Sequence, residues 1–61
     1  MTKEEIKDLR KELGITQQEL ADRLGLTVDT IRSWESGYRN PSGSAKKLLE
    51  IIRKTLLKED G

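Results

Sequence analysis

The amino-acid sequence predicts an all-α fold: a compact bundle of four helices, with a five-helix bundle as the alternative. Three observations predict it. Apolar residues recur at helical spacing, and no stretch alternates as a strand would. Two capping boxes of the form Thr-x-x-Glu, Thr2 to Glu5 and Thr16 to Glu19, each open such a stretch. Gly14, Gly25 and Gly37 stand where the stretches stop, as left-handed residues closing a helix would.

The first helix follows Thr2, with Ile6, Leu9 and Leu13 as its apolar stripe, and ends at Gly14. Its remaining charges are expected to form a solvated surface. The second helix follows Thr16. Leu20, Ala21 and Leu24 face inward, Gly25 stops it, and Leu26 is expected to plug the core from the turn. Thr27 is the N-cap of the third helix, with Asp29 in its first turn, where a negative charge suits the helix dipole. Ile31 and Trp34 take the buried side, and Gly37 ends the helix. Ala21 lies four residues before Gly25 and Ile31 six after it, the pattern of two helices that cross steeply and closely around a tight turn.

Tyr38 to Gly43 is a loop that Pro41 keeps from becoming helical. Ser44 is the expected cap of the fourth helix, with Ser42 as the alternative. Ala45, Leu48, Leu49, Ile52 and Leu56 form its core stripe, and it is expected to fray near Lys58. Ile51 and Leu57 lie off that stripe, either as an apolar edge that a two-fold dimer covers or as core margin against the first helix.

Sixty-one residues make one domain, residues 1–61. A chain this short buries about 60% of its extended surface, which limits it to one small core. It has no cysteine and no histidine. Disulfides, thiolate zinc sites and the commonest general base are therefore excluded, and no metal or cofactor is expected. No P-loop and no carboxylate pair in a cleft is legible, so the chain reads as no enzyme. No apolar run approaches the ~18 residues of a membrane span, and no signal peptide is visible. Met1 before a capped helix reads as a natural start, and the expected setting is cytoplasmic. The net charge is only +1 and the pI about 8.0. Residues 1–38 carry six basic and eight acidic side chains, whereas residues 39–61 carry six basic and three acidic.

Thr16-Gln17, Glu19-Leu20-Ala21, Gly25, Thr27, Ile31 and Trp34-Glu35-x-Gly37 together resemble the Cro/repressor-type (XRE-like) helix-turn-helix of phage repressors, bacterial regulators and antitoxins. The stretch Arg39-Asn40-Pro41-Ser42-Gly43-x-Ala45-x-x-Leu48-Leu49 is similar to small antitoxin-like regulators of that family. The resemblance covers roughly residues 6–57 and implies a lambda-repressor-like DNA-binding domain. The third helix would enter the major groove of double-stranded DNA tip first.

That geometry nominates Val28, Asp29, Thr30, Arg32 and Ser33 for base edges. The Arg32 fork suits guanine O6 and N7, worth about 1–3 kcal/mol of discrimination. Val28 suits a thymine methyl. Asp29 can accept from cytosine N4, hold Arg32, or serve only the helix start. The resemblance places Thr16, Gln17, Thr27, Ser36, Tyr38, Arg39, Asn40 and Lys46 at phosphates. Gln17 is otherwise an ordinary surface residue, Tyr38 otherwise covers the core edge, and Lys47 reads as solvated. Trp34 is read as core, because a base-stacking platform needs several exposed aromatics and this chain has one Trp and one Tyr. The resemblance also implies an ion pair between Arg10 and Glu35 that holds the third helix to the first. It further implies a transcriptional repressor or antitoxin. One 61-residue module reads few base pairs, so a homodimer on a palindromic operator, with half-sites about 34 Å apart, is expected. A toxin is a candidate protein partner. The rival reading is a protein-interaction module that keeps the fold without binding DNA.

Overall fold

The computed structural model describes residues 1–59, with side chains through Thr55. The described residues form four α-helices and no strand: α1 (Lys3–Leu13), α2 (Gln17–Leu24), α3 (Val28–Ser36) and α4 (Gly43–Glu59). This is the expected all-α fold. The expected core place of Leu56 and the flanking place of Leu57 lie outside the described side chains.

Local hydrogen bonding sets the helix starts. The Thr2 hydroxyl accepts from the Glu5 amide at 3.2 Å, and the Glu5 carboxylate accepts from the Thr2 amide at 2.8 Å. Thr16 and Glu19 repeat the exchange at 3.1 and 3.0 Å. Each box satisfies two backbone donors that a helix start leaves over. Thr27 holds the N-cap position of α3, but its hydroxyl does not cap. It lies 3.0 Å from the Thr30 hydroxyl instead.

The cap of α4 is Ser42 rather than Ser44. The Ala45 amide donates to the Ser42 hydroxyl at 3.3 Å, and the Lys46 amide donates to the Ser42 carbonyl at 2.8 Å. Pro41 is buried just before it and fixes where the chain enters, so helical geometry begins at Gly43. At the other end α4 runs one residue past Lys58.

Gly25 makes the turn between α2 and α3. It takes φ +70°, its N–H donates to the Asp22 carbonyl at 3.3 Å, and the Leu26 N–H donates to the Ala21 carbonyl at 2.9 Å. This is a Schellman closure, and it reverses the chain within two residues. Nothing lies within 4 Å of where a Cβ on Gly25 would sit. Gly25→Ala is therefore expected to cost only the left-handed backbone strain, about 1 kcal/mol. A urea titration checks this; a loss of about 3 kcal/mol or more would mean that the turn is packed rather than open.

The core draws two residues from each helix: Ile6 and Leu9, Leu20 and Ala21, Ile31 and Trp34, Ala45 and Leu49. Met1, Leu13, Ile15, Leu24 and Ile52 pack around it, half-buried. α1 packs on α3 and α4, and α2 packs on α3 with the small Ala21 fully buried. Two expected core residues are not in it. Leu26 is 37% exposed and Leu48 is 44% exposed. Leu26 follows the Schellman closure at a corner of the molecule. Leu48 lies on the flank of α4, which meets the scaffold along a narrow line through Ala45, Leu49 and Ile52. Ile51 is exposed, which fits the apolar-edge alternative and not core margin against α1. Among the described residues no helix is long and apolar enough to cross a membrane.

Candidate nucleic-acid interface

Helix α3 has two faces with different jobs. Ile31, Trp34 and Glu35 are buried. Trp34 is thus core and offers no stacking surface. On the opposite side Asp29 and Arg32 are exposed, and Val28, Thr30 and Ser33 are half-buried. Arg32 Nη1 stands 3.6 Å from Asp29 Oδ1.

The loop after α3 is pinned along this face. The Arg39 amide donates to the Ser33 carbonyl at 3.1 Å. The Ser36 hydroxyl donates to the same carbonyl at 3.1 Å and accepts from the Tyr38 amide at 3.4 Å. A shallow hollow of about 220 Å³ opens between helix and loop, lined by Asp29, Thr30, Ser33, Tyr38 and Arg39. The structure thus brings five of the nominated residues to one place. Tyr38 is 80% exposed and does not cover the core. Asn40 and Lys46 are exposed, and their side chains make no hydrogen bond among the described residues.

At the start of α2, the Thr16 hydroxyl is engaged in its capping box. Helix geometry leaves the Gln17 and Gln18 amides without an intrahelical partner. The Gln17 side chain is half-buried, and its Nε2 donates to Glu35 Oε1 at 3.2 Å. One amide hydrogen is therefore held inward and the other is free to point elsewhere.

Glu35 is the centre of the scaffold behind this surface. Arg10 donates to it twice, from Nε at 2.8 Å and from Nη2 at 3.0 Å, and Arg10 Nη1 donates to the Ile15 carbonyl at 3.2 Å. The expected Arg10–Glu35 pair is present and bidentate. Burial pushes the Glu35 carboxyl up, but the Arg10 and Gln17 hydrogen bonds and the Arg10 and Lys7 charges outweigh it and hold it below the usual range. The Arg10 guanidinium is raised by its bonds to Glu35 against the opposing effect of burial. No described side chain leaves a buried polar atom unpaired.

Sequence reasoning did not find the Gln17–Glu35 bond, the hollow, or the place of Lys3. Lys3 lays its side chain beside Gly37, with Nζ 3.5 Å from where a Cβ would sit. That puts a positive charge at the negative end of α3. These pairings join residues far apart in the chain, so local spacing carries no trace of them. Among the described residues no group of three or more Asp and Glu could hold a metal ion.

A family model described as Helix-turn-helix matches residues 6–57. The chain is 54% identical over 37 residues to an uncharacterized HTH-type transcriptional regulator of Methanothermobacter thermautotrophicus, spanning 61% of this chain and 54% of that protein. It is 37% identical over 49 residues to the uncharacterized HTH-type transcriptional regulator YiaG of Escherichia coli, spanning 80% of this chain and 51% of that one. It is also 47% identical over 45 residues to the type II methyltransferase M.SsoII of Shigella sonnei, spanning 69% of this chain and 12% of the methyltransferase. The chain thus spans about half the length of the two regulators and a small part of the third protein. No solved structure matches it.

Proposed function

The chain belongs to the helix-turn-helix family, and we propose that it is a sequence-specific transcriptional regulator that inserts α3 into the major groove of double-stranded DNA. The observation that carries this reading is the division of α3: its inner face is locked to the scaffold, while Asp29 and Arg32 face out beside an exposed Tyr38–Arg39 loop. Val28, Asp29, Thr30, Arg32 and Ser33 face base edges. Thr16, Gln17, Thr27, Ser36, Tyr38, Arg39, Asn40 and Lys46 line the phosphates on either side. The start of α2 offers unpaired backbone N–H groups and a positive dipole end, which favour an anion even without the Gln17 side chain.

Residues 1–61 act as the DNA-binding domain of a repressor or antitoxin. Two copies on a palindrome read half-sites about 34 Å apart. A toxin-like partner would bind on surfaces away from α3.

The test is fluorescence anisotropy with a labelled duplex between about 50 and 200 mM salt. The unaltered chain is expected to bind, with affinity falling steeply as salt rises. Arg39→Ala is expected to lower the salt slope by about one. Arg32→Ala is expected to cost about 1–3 kcal/mol on the preferred sequence and less on random duplex. If the unaltered chain retains no duplex at low salt, the reading fails and the protein-interaction module takes its place.

A further inference from the structure

Of the two acidic residues in α3, Glu35 is buried in the scaffold and Asp29 is exposed. The Asp29 carboxylate accepts no hydrogen bond among the described residues, and its neighbour in charge is Arg32, 3.6 Å away. That separation is too long for a hydrogen bond. Both side chains are open to solvent, 64% for Arg32 and 88% for Asp29, so their pairing adds little to stability. Asp29 also borders the hollow shared with Thr30, Ser33, Tyr38 and Arg39. A carboxylate in that place is repelled by a duplex unless the duplex offers it a donor.

We propose that Asp29 determines specificity by exclusion: it admits duplexes that present a cytosine amino group beside the guanine read by Arg32, and penalises the others. This rests on the DNA-binding reading above. An ionised carboxylate can only accept. The major-groove edges of guanine and thymine present acceptors; adenine N6 donates but stands beside the N7 acceptor, which repels the second carboxylate oxygen, whereas cytosine N4 donates and is the usual partner of Asp or Glu. Residues three apart on a helix stand about 5–6 Å apart, and successive base pairs about 3.4 Å apart. Arg32 and Asp29 can therefore address adjacent positions from one turn of α3.

At a wrong base the carboxylate loses its hydration and gains an acceptor in place of a donor. It also offsets the Arg32 charge, which is otherwise drawn to phosphate on any sequence. Asp29 thus lowers affinity for random DNA more than for the true site. Arginine alone would raise both together.

The experiment uses Asp29→Asn, which keeps the shape, removes the charge and adds a donor. Bound sites are selected from a randomised duplex pool with the unaltered chain and with the variant. Affinities are then measured for the selected site and for random duplex, and thermal unfolding establishes that the variant is folded. The unaltered chain is expected to select guanine with cytosine at the adjacent position. The variant is expected to keep the guanine, lose the cytosine, and bind random duplex about 10-fold tighter. Any other base selected at that position by the unaltered chain overturns the proposal. So does a variant with unchanged base preferences, or one weakened equally on site and random duplex. If the unaltered chain binds no duplex, the DNA reading fails as well; if it selects a site and Asp29→Asn reads that site identically, this proposal alone fails.

Discussion

Replacing Arg10 with methionine is expected to cost about 3 kcal/mol or more at neutral pH and progressively less as the pH falls. The Glu35 side chain is only 5% exposed, whereas that of Arg10 is 22% exposed. Loss of Arg10 strands a carboxylate in the interior. Loss of Glu35 leaves a guanidinium that still reaches water. Glu35→Gln is therefore the milder change, about 1–3 kcal/mol. For a domain of this length, with a total stability on the order of 3–9 kcal/mol, the Arg10 loss unfolds a sizeable fraction of molecules.

In the unaltered chain the folded state holds the Glu35 carboxyl below its ordinary value. Its contribution is complete above the ordinary glutamate value of about 4.3 and is lost as pH falls through the lowered folded value. Burial is the largest single influence on Glu35 and acts upward. With Arg10 gone, burial is opposed only by the Gln17 bond and the Lys7 charge, so the folded value rises. The stability that Arg10 supplies through Glu35 is therefore complete at neutral pH and shrinks as pH falls and Glu35 takes up its proton. The gap between the urea midpoints of the unaltered chain and Arg10→Met should therefore widen from about pH 3 to about pH 7. Parallel profiles would show that Arg10 does not govern the ionisation of Glu35.

The helices were legible because their ends are decided within three or four residues. Thr2 with Glu5, Thr16 with Glu19, and the three terminal glycines act through bonds to their immediate neighbours. The same locality explains the errors. Ser42 and Ser44 are both good caps by type, and only the seating of Pro41, a matter of tertiary packing, chooses between them. Leu48 and Leu49 look alike in a helical stripe, but α4 rests on too small a scaffold to bury both. The faces of α3 followed from periodicity. Glu35 as the shared acceptor of Arg10 and Gln17 did not, since three separate segments meet there. The pairing of Arg10 with Glu35 was available through family likeness, whereas nothing in the sequence pointed to Gln17 as its third member or to Lys3 beside Gly37.

Ile31→Ala is expected to cost about 2–5 kcal/mol, because Ile31 is fully buried and anchors α3 between the other helices. Arg32, the next residue, is exposed, and truncating it should leave the melting temperature nearly unchanged. The two substitutions should therefore separate cleanly. Ile31→Ala lowers the melting temperature and weakens DNA binding only in proportion to the fraction unfolded, with the base preferences of the folded fraction intact. Arg32→Ala leaves folding alone and changes the preferences. Duplex at about 100 times its dissociation constant should restore about 2.7 kcal/mol to Ile31→Ala, because the ligand binds the folded state alone. Thermal melts with and without duplex, beside site selection for both variants, make the measurement. Altered base preferences in Ile31→Ala would mean that the anchor of α3 also sets its angle in the groove, so that packing and reading are one function of the helix rather than two.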